Sequence, residues 1–277
     1  MKIYPKINEK LEGLDNLEKE IKQYKGVEIQ YFPKNQEEIV DFEIEKPIEE
    51  ILKRYPDIQE ITVHPPLCNY EIEIVLLKDK NIFLNQIRTI VKLSKKYDIK
   101  INLIEHTRLL FKQVQLSIIP VLKEAIEIMK ETKTKILFEN IYMMEEKQNC
   151  SVVELCEYLN SENVKVCIDM CHLYCQAHIY KEDIENFLKK YLDKNKCERH
   201  VYQIHFAHTA NDDGYIDRTT HAVVHPNKEV LSYDADLLCK YGMEKCNWII
   251  EVSEKDYILR VDEIKEFKML LDYFSNR

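Results

Sequence analysis

Short apolar runs rich in β-branched residues recur about every 25 to 40 residues along this chain, and between them apolar positions fall three and four apart. The first pattern is that of buried strands and the second that of amphipathic helices. Their alternation predicts βαβ units around a parallel sheet. Strands are expected at Lys2–Ile7, Val27–Phe32, Glu60–His64, Lys100–His106, Lys135–Glu139, Lys165–Asp169, Val201–His205 and Trp248–Glu251. The run ITVHPP passes from β-branched residues into two prolines, so the third strand ends just past His64. NIFLNQIRTIVKLSKKY, VLKEAIEIMKE, VVELCEYLN and IENFLKKYL carry helical spacing, and VDEIKEFKMLLDYF predicts a closing C-terminal helix.

Eight strands with helices between them, and no linker or low-complexity segment, favour a closed (β/α)8 TIM barrel forming one domain over residues 1–277. An open doubly wound sheet would carry a Gly-rich phosphate loop early in the chain. This sequence has four glycines and no GxGxxG. A chain of 277 residues buries a sizeable core unaided, so any metal ligands in it are not needed for folding.

Composition narrows the function. A net charge of −9 argues against broad, nonspecific attraction to nucleic acid, although bound cations would add local positive charge. No apolar run reaches the roughly 18 residues needed to span a bilayer. The N-terminus shows no secretory h-region, and the nine cysteines lie scattered in apolar surroundings, which predicts reduced thiols and a cytoplasmic protein. Cys167, Cys171 and Cys175 do not match ferredoxin-like spacings and read as apolar thiols. Nothing in the pattern sets the oligomeric state.

The candidate chemistry sits where strands end, because parallel barrels build their sites at the C-terminal strand rim. The third strand finishes on His64, the fourth on Glu105-His106 and the fifth on Glu139-Asn140. The sixth finishes on Asp169 with His172 three residues on, the seventh on His205 and the eighth on Glu251. A single such histidine is usually structural. Six consecutive strands ending on His, Asp or Glu converge on one mouth, where uncompensated buried carboxylates would be costly. Divalent metal is the simplest compensation. Mixed imidazole and carboxylate donors suit zinc, with manganese or iron(II) as alternatives. Asp217 and His221, in the long loop after the seventh strand, raise the candidate ligands to nine, enough for two or three ions if Glu139 bridges.

The stretch VCIDMCH (Val166–His172) resembles the Asp-x-x-His segment of the endonuclease IV family. The order of the remaining residues is similar as well: His64, His106, Glu139-Asn140, His205, Asp217-Arg218 followed by His221, and Glu251, with Lys34–Gln36 past the second strand. That family belongs to the xylose isomerase-like barrel superfamily, and its members cleave DNA at abasic sites with three zinc ions. The resemblance implies one ion at His64, His106 and Glu139, and a second at Glu139, Asp169, His205 and Glu251. A third would lie at His172, Asp217 and His221. It makes Glu139 and Glu251 the catalytic carboxylates, and abasic-site DNA, or a smaller sugar or phosphodiester, the expected partner.

The departures lie in the loops. Ala207-His208 replaces an Asn-Asp pair, two threonines separate Arg218 from His221, His225–Glu229 replaces a Gly-rich run, and Glu37 and Glu38 follow the second strand. These bear on the substrate more than on the metals. A sugar isomerase, epimerase or dehydratase of the same superfamily is the alternative. It would use one metal and the two glutamates as an acid/base pair, leaving the outer histidines without a role.

Overall fold

The computed structural model describes residues 2–20, 24–31, 44–65, 72–106, 118–140, 151–209, 222–253 and 256–277. Eight parallel strands close into a barrel in chain order: β1 Lys2–Asn8, β2 Gly26–Gln30, β3 Glu60–His64, β4 Lys100–His106, β5 Lys135–Glu139, β6 Val164–Asp169, β7 Val201–Phe206 and β8 Asn247–Ile250. Pairing of Lys2 with Asn247 through Pro5 with Ile250 joins β1 to β8 and closes the ring. Most strand ends fall within a residue or two of expectation, and Glu251 lies one residue beyond β8. Phe32, expected to end the second strand, lies outside the described residues.

The helices are α1 Leu14–Glu20, α2 Glu45–Arg54, α3 Ile72–Tyr97, α4 Ile119–Met129, α5 Ser151–Leu159, α6 Met170–Ile179, α7 Ile184–Tyr191, α8 Lys194–His200, α9 Lys228–Lys240 and α10 Val261–Ser275. Several begin on the caps their sequence offers. Asp183, Asp193 and Asn227 accept backbone N–H bonds at the starts of α7, α8 and α9, and α4 has Pro120 in its first turn. No described helix is long and apolar enough to cross a membrane.

The main hydrophobic core lies between the outer face of the barrel and its helices, with Phe83, Phe138, Phe187, Phe206 and Trp248 fully buried. The barrel interior is different. Bulky aliphatic side chains usually fill it, yet here a small apolar cluster of Ile104, Leu137 and Cys167 lies beside a polar network. Thr62 donates across the barrel to Gln203 (2.9 Å), and Gln203 donates to Glu28 (2.7 Å). Below them Glu60 accepts from Asn102, Asn247 and Tyr202 at 2.6–2.9 Å. These cross-barrel bonds tie side chains of β2, β3, β4, β7 and β8 together inside the barrel. By the two-residue period, the strand-end residues above them point into the mouth.

Candidate metal centre

Strands β3 to β7 deliver their last inward side chains to the same place, and Glu251, one residue past β8, joins them. Glu139, fully buried at the end of β5, lies at the middle of the group. Its Oε2 is 3.2 Å from His106 Nε2, 3.5 Å from His64 Nε2 and 3.2 Å from His205 Nδ1. On the far side His205 Nδ1 is 2.7 Å from Glu251 Oε2. Among the described residues four groups here have ligand atoms mutually within 4.8 Å, including Glu28 with His64 and His205, and Glu139 with Cys167 and His205. The two that match the ligand sets expected from the sequence are His64, His106 and Glu139, and Glu139, Asp169, His205 and Glu251. Both contain Glu139.

The Asp-x-x-His segment is built as a helix start. Asp169 caps α6 by accepting from the His172 backbone N–H (2.8 Å), and Asn140 holds Asp169 through a bond in each direction at 2.7 and 3.1 Å. His172 Nδ1 lies 2.7 Å from the Asn140 carbonyl, 3.4 Å from Glu139 and 3.5 Å from Asp169. The structure therefore brings together His64, His106, Glu139, Asp169, His172, His205 and Glu251. Asp217 and His221 lie outside the described residues, as do Lys34–Gln36, Glu37 and Glu38.

Two charged residues that the strand-end reading passed over belong to this mouth. Glu28 on β2 accepts from His205 Nε2 (2.9 Å). Lys6 on β1 is 3.3 Å from Glu28 Oε1 and pairs more closely with Glu251 Oε1. The Lys6 backbone is firmly placed, since its N–H donates to Glu263 (2.8 Å) and Arg260, ion-paired with Glu263, donates to its carbonyl. His208, a candidate by its position for orienting a mouth ligand, instead approaches Asp234.

Electrostatics polarise the cluster. Burial alone would raise the glutamates, but His205 and His106 hold Glu139 well below the ordinary carboxylate range, and His205 and Lys6 do the same for Glu251. Burial, and then the Lys6 charge, pushes His64 below the usual imidazole value, and burial does the same for His172. His205 is raised: burial opposes its charge, but Cys167 and then Glu251, Glu28 and Glu139 outweigh burial.

These residues fit a divalent metal on geometric grounds. With Nε2–H committed to Glu28, the neutral His205 ring points the Nδ1 lone pair at two carboxylate oxygens, an arrangement that needs a cation or a proton between them. His64 Nε2, His106 Nε2, Glu139 Oε2, His205 Nδ1 and Glu251 Oε2 are all buried without a well-formed hydrogen bond, although they crowd together. Such a concentration of unsatisfied donors and acceptors is costly unless an ion joins them.

Solved structures share this architecture end to end. A zinc-bound IolI protein superposes with a TM-score of 0.65 at 15% identity, covering 100% of this chain and 99% of its own. Endonuclease IV from Thermus thermophilus gives 0.61 at 11% identity, with both chains fully covered. A D-tagatose 3-epimerase-like protein gives 0.61 at 16%, covering 100% and 98%. At such identities the likeness is one of fold. No curated protein sequence matches the chain significantly. The profile described as xylose isomerase-like TIM barrel matches residues 19–234, most of the barrel, and the chain belongs to that family.

Proposed function

We propose that this protein is a metal-dependent phosphodiester hydrolase with two ions in the barrel mouth, bridged by Glu139. The observation that carries the reading is that Glu139 belongs to both ligand sets. His64 and His106 would hold one ion with it, and Asp169, His205 and Glu251 the other. Zinc is the first choice from the donor types. When bound, paired divalent ions stabilise the charge that develops on a phosphoryl group and its leaving oxygen.

The chain's own groups supply the rest. Glu28 fixes the His205 ring so that Nδ1 faces the mouth. Glu251, held anionic by His205 and Lys6, would orient a hydroxide, formed from a water that has lost its proton to solvent, as the new O–P bond forms and the leaving P–O bond breaks. Lys6 adds a buried positive charge beside a substrate phosphate.

Metal content and activity test this together. Two ions at the mouth are expected, both lost when Glu139→Ala and Asp169→Asn are combined, with hydrolysis of bis(p-nitrophenyl) phosphate and nicking of a duplex containing one abasic site. Glu251→Gln is expected to abolish turnover with the fold intact. Full activity in that variant refutes the assignment.

A second reading rests on the inner set, because Glu139, Asp169, His205 and Glu251 suffice for one ion by themselves. Glu139 and Glu251 would then act as an acid/base pair on a sugar carbon. One ion at the mouth, inert phosphodiesters and uptake of solvent deuterium by a ketose would replace the hydrolase reading with this one.

A further inference from the structure

Outside the barrel, behind β7, a second group of histidines and carboxylates closes on a single point. Along β7 the side chains alternate, so His205 faces the mouth while Phe206 faces outward onto Trp248, with ring centroids 5.0 Å apart. His225 stacks on that outer side of Phe206 at 4.8 Å. It stands between α9, which carries Asp234, and α10, which carries Glu266. His208 follows β7 directly and is pinned to the same segment by reciprocal backbone bonds with Val223, both 2.8 Å.

The hydrogen bonds around His225 fix its ring. Glu266 holds it with both oxygens, accepting from the backbone N–H (3.0 Å) and pairing closely with Nδ1. The carboxylate thereby commits Nδ1 as an N–H donor. Nε2 faces Asp234 Oδ2, 3.1 Å away, across a gap that a proton on the charged ring or a cation fills. His208 Nδ1 approaches the same oxygen at 3.4 Å. The other oxygen of Asp234 is occupied by the Tyr174 hydroxyl. Two imidazole nitrogens and a carboxylate oxygen therefore surround one small space.

The spacing has a simple interpretation. Zinc bonds of about 2.0–2.1 Å to nitrogen and oxygen place neighbouring ligands of a tetrahedron about 3.3 Å apart. The two separations at Asp234 Oδ2 fall on either side of that value, and all three donor atoms lie within 4.8 Å of one another. Glu266 on the far nitrogen of His225 and Tyr174 on the far oxygen of Asp234 are the outer partners that orient metal ligands. His225 and Asp234 are wholly buried, whereas the His208 side chain is 23% exposed and gives an ion a way in.

We propose that His208, His225 and Asp234 form a second divalent-metal site, separate from the barrel mouth, with water as its fourth ligand. The N,N,O donor set suits zinc or cobalt(II) rather than calcium or magnesium. An ion there ties the segment leaving β7, and its return at His225, to α9.

The test uses the full-length protein with Glu139→Ala and Asp169→Asn, which disable the mouth while keeping the α6 cap. After removal of metal with a chelator, titration with Co2+ is expected to fill one site per chain and to give the visible absorption of four-coordinate cobalt. Adding His208→Ala is expected to abolish that uptake, and His208→Ala alone is expected to lower the Zn2+ content of the otherwise unaltered chain by one. If His208→Ala does not fold, His208→Gln, which keeps more of the side chain's volume, must show the same loss. No uptake by the mouth-disabled protein, or uptake unchanged by either His208 substitution, overturns the proposal. Failure of the mouth reading would look different: the unaltered and mouth-disabled proteins would then carry the same single ion.

Discussion

Replacing Lys6 with methionine asks how much the charge balance of the mouth contributes to stability. The side chains of Lys6, Glu28 and Glu251 are 8%, 0% and 15% exposed, and the Lys6 ammonium lies 3.3 Å from Glu28 and closer still to Glu251. Removing one partner of a buried ion pair leaves a desolvated charge uncompensated, which costs about 3–5 kcal/mol. Lys25 supplies the contrast, because its pair with Asp57 is 3.9 Å long with side chains 52% and 90% exposed. Its loss is expected to cost under about 1 kcal/mol. Urea unfolding of chelator-treated Lys6→Met, Lys25→Met and unaltered protein at pH 7 measures the difference. The pH dependence carries a second signature. Burial pulls Lys6 down, but Glu251 and Glu28 outweigh it and hold its pKa above the ordinary lysine value of 10.5. Its stabilisation is thus complete below pH 10.5 and is lost only as pH rises through the folded-state value. The gap between unaltered protein and Lys6→Met should stay constant through neutral pH and narrow only in strong alkali. Adding Zn2+ should recover part of the loss, since an ion binding the folded mouth compensates the same carboxylates. A Lys6→Met penalty no larger than that of Lys25→Met would refute the reading of Lys6 as a desolvated partner of the site.

Glu28→Gln weakens the charged acceptor that orients His205, and zinc affinity at the mouth, measured by competition with a chelator, should fall about 10–100-fold. An unchanged affinity would show that Glu28 does not position the ring. Zinc uptake at neutral pH should release protons, because His205 is held protonated above its ordinary value until an ion takes Nδ1; calorimetry in buffers of different ionisation enthalpy detects this. Burial pushes Cys167, Cys197 and Cys246 up to about 12, so iodoacetamide at pH 8 should leave all three unmodified in native protein, as read by mass spectrometry. Gly13 adopts φ +72°, and a Cβ there would run into the Tyr257 carbonyl, so Gly13→Ala should lower stability by about 1 kcal/mol or more in thermal unfolding.

The rim of the barrel was legible because one rule places it: a parallel strand presents its last residue to the mouth, and His64, His106, Glu139 and Asp169 are the last residues of β3 to β6. Helices with a single apolar stripe were legible for a similar reason. α6 was not, since Met170, Cys171, His172, Leu173, Cys175, Gln176 and Ala177 are all buried and leave no stripe to read. Lys6 and Glu28 escaped because a charge at alternate positions of an isolated strand looks like the wet face of a half-exposed sheet. In a closed parallel barrel there is no such face. Helices cover the outside and the ring encloses the inside, so a charge in the middle of β1 or β2 must be neutralised by another residue on the same interior. Once a barrel is inferred, that constraint directs Lys6 and Glu28 toward the mouth. Their exact partners still depend on the stagger between strands, which only the closed structure supplies. The cluster at His208, His225 and Asp234 lacks even that clue. It needs the packing of α9 and α10 against β7, and no local pattern in the chain encodes which helix residues will meet behind a given strand.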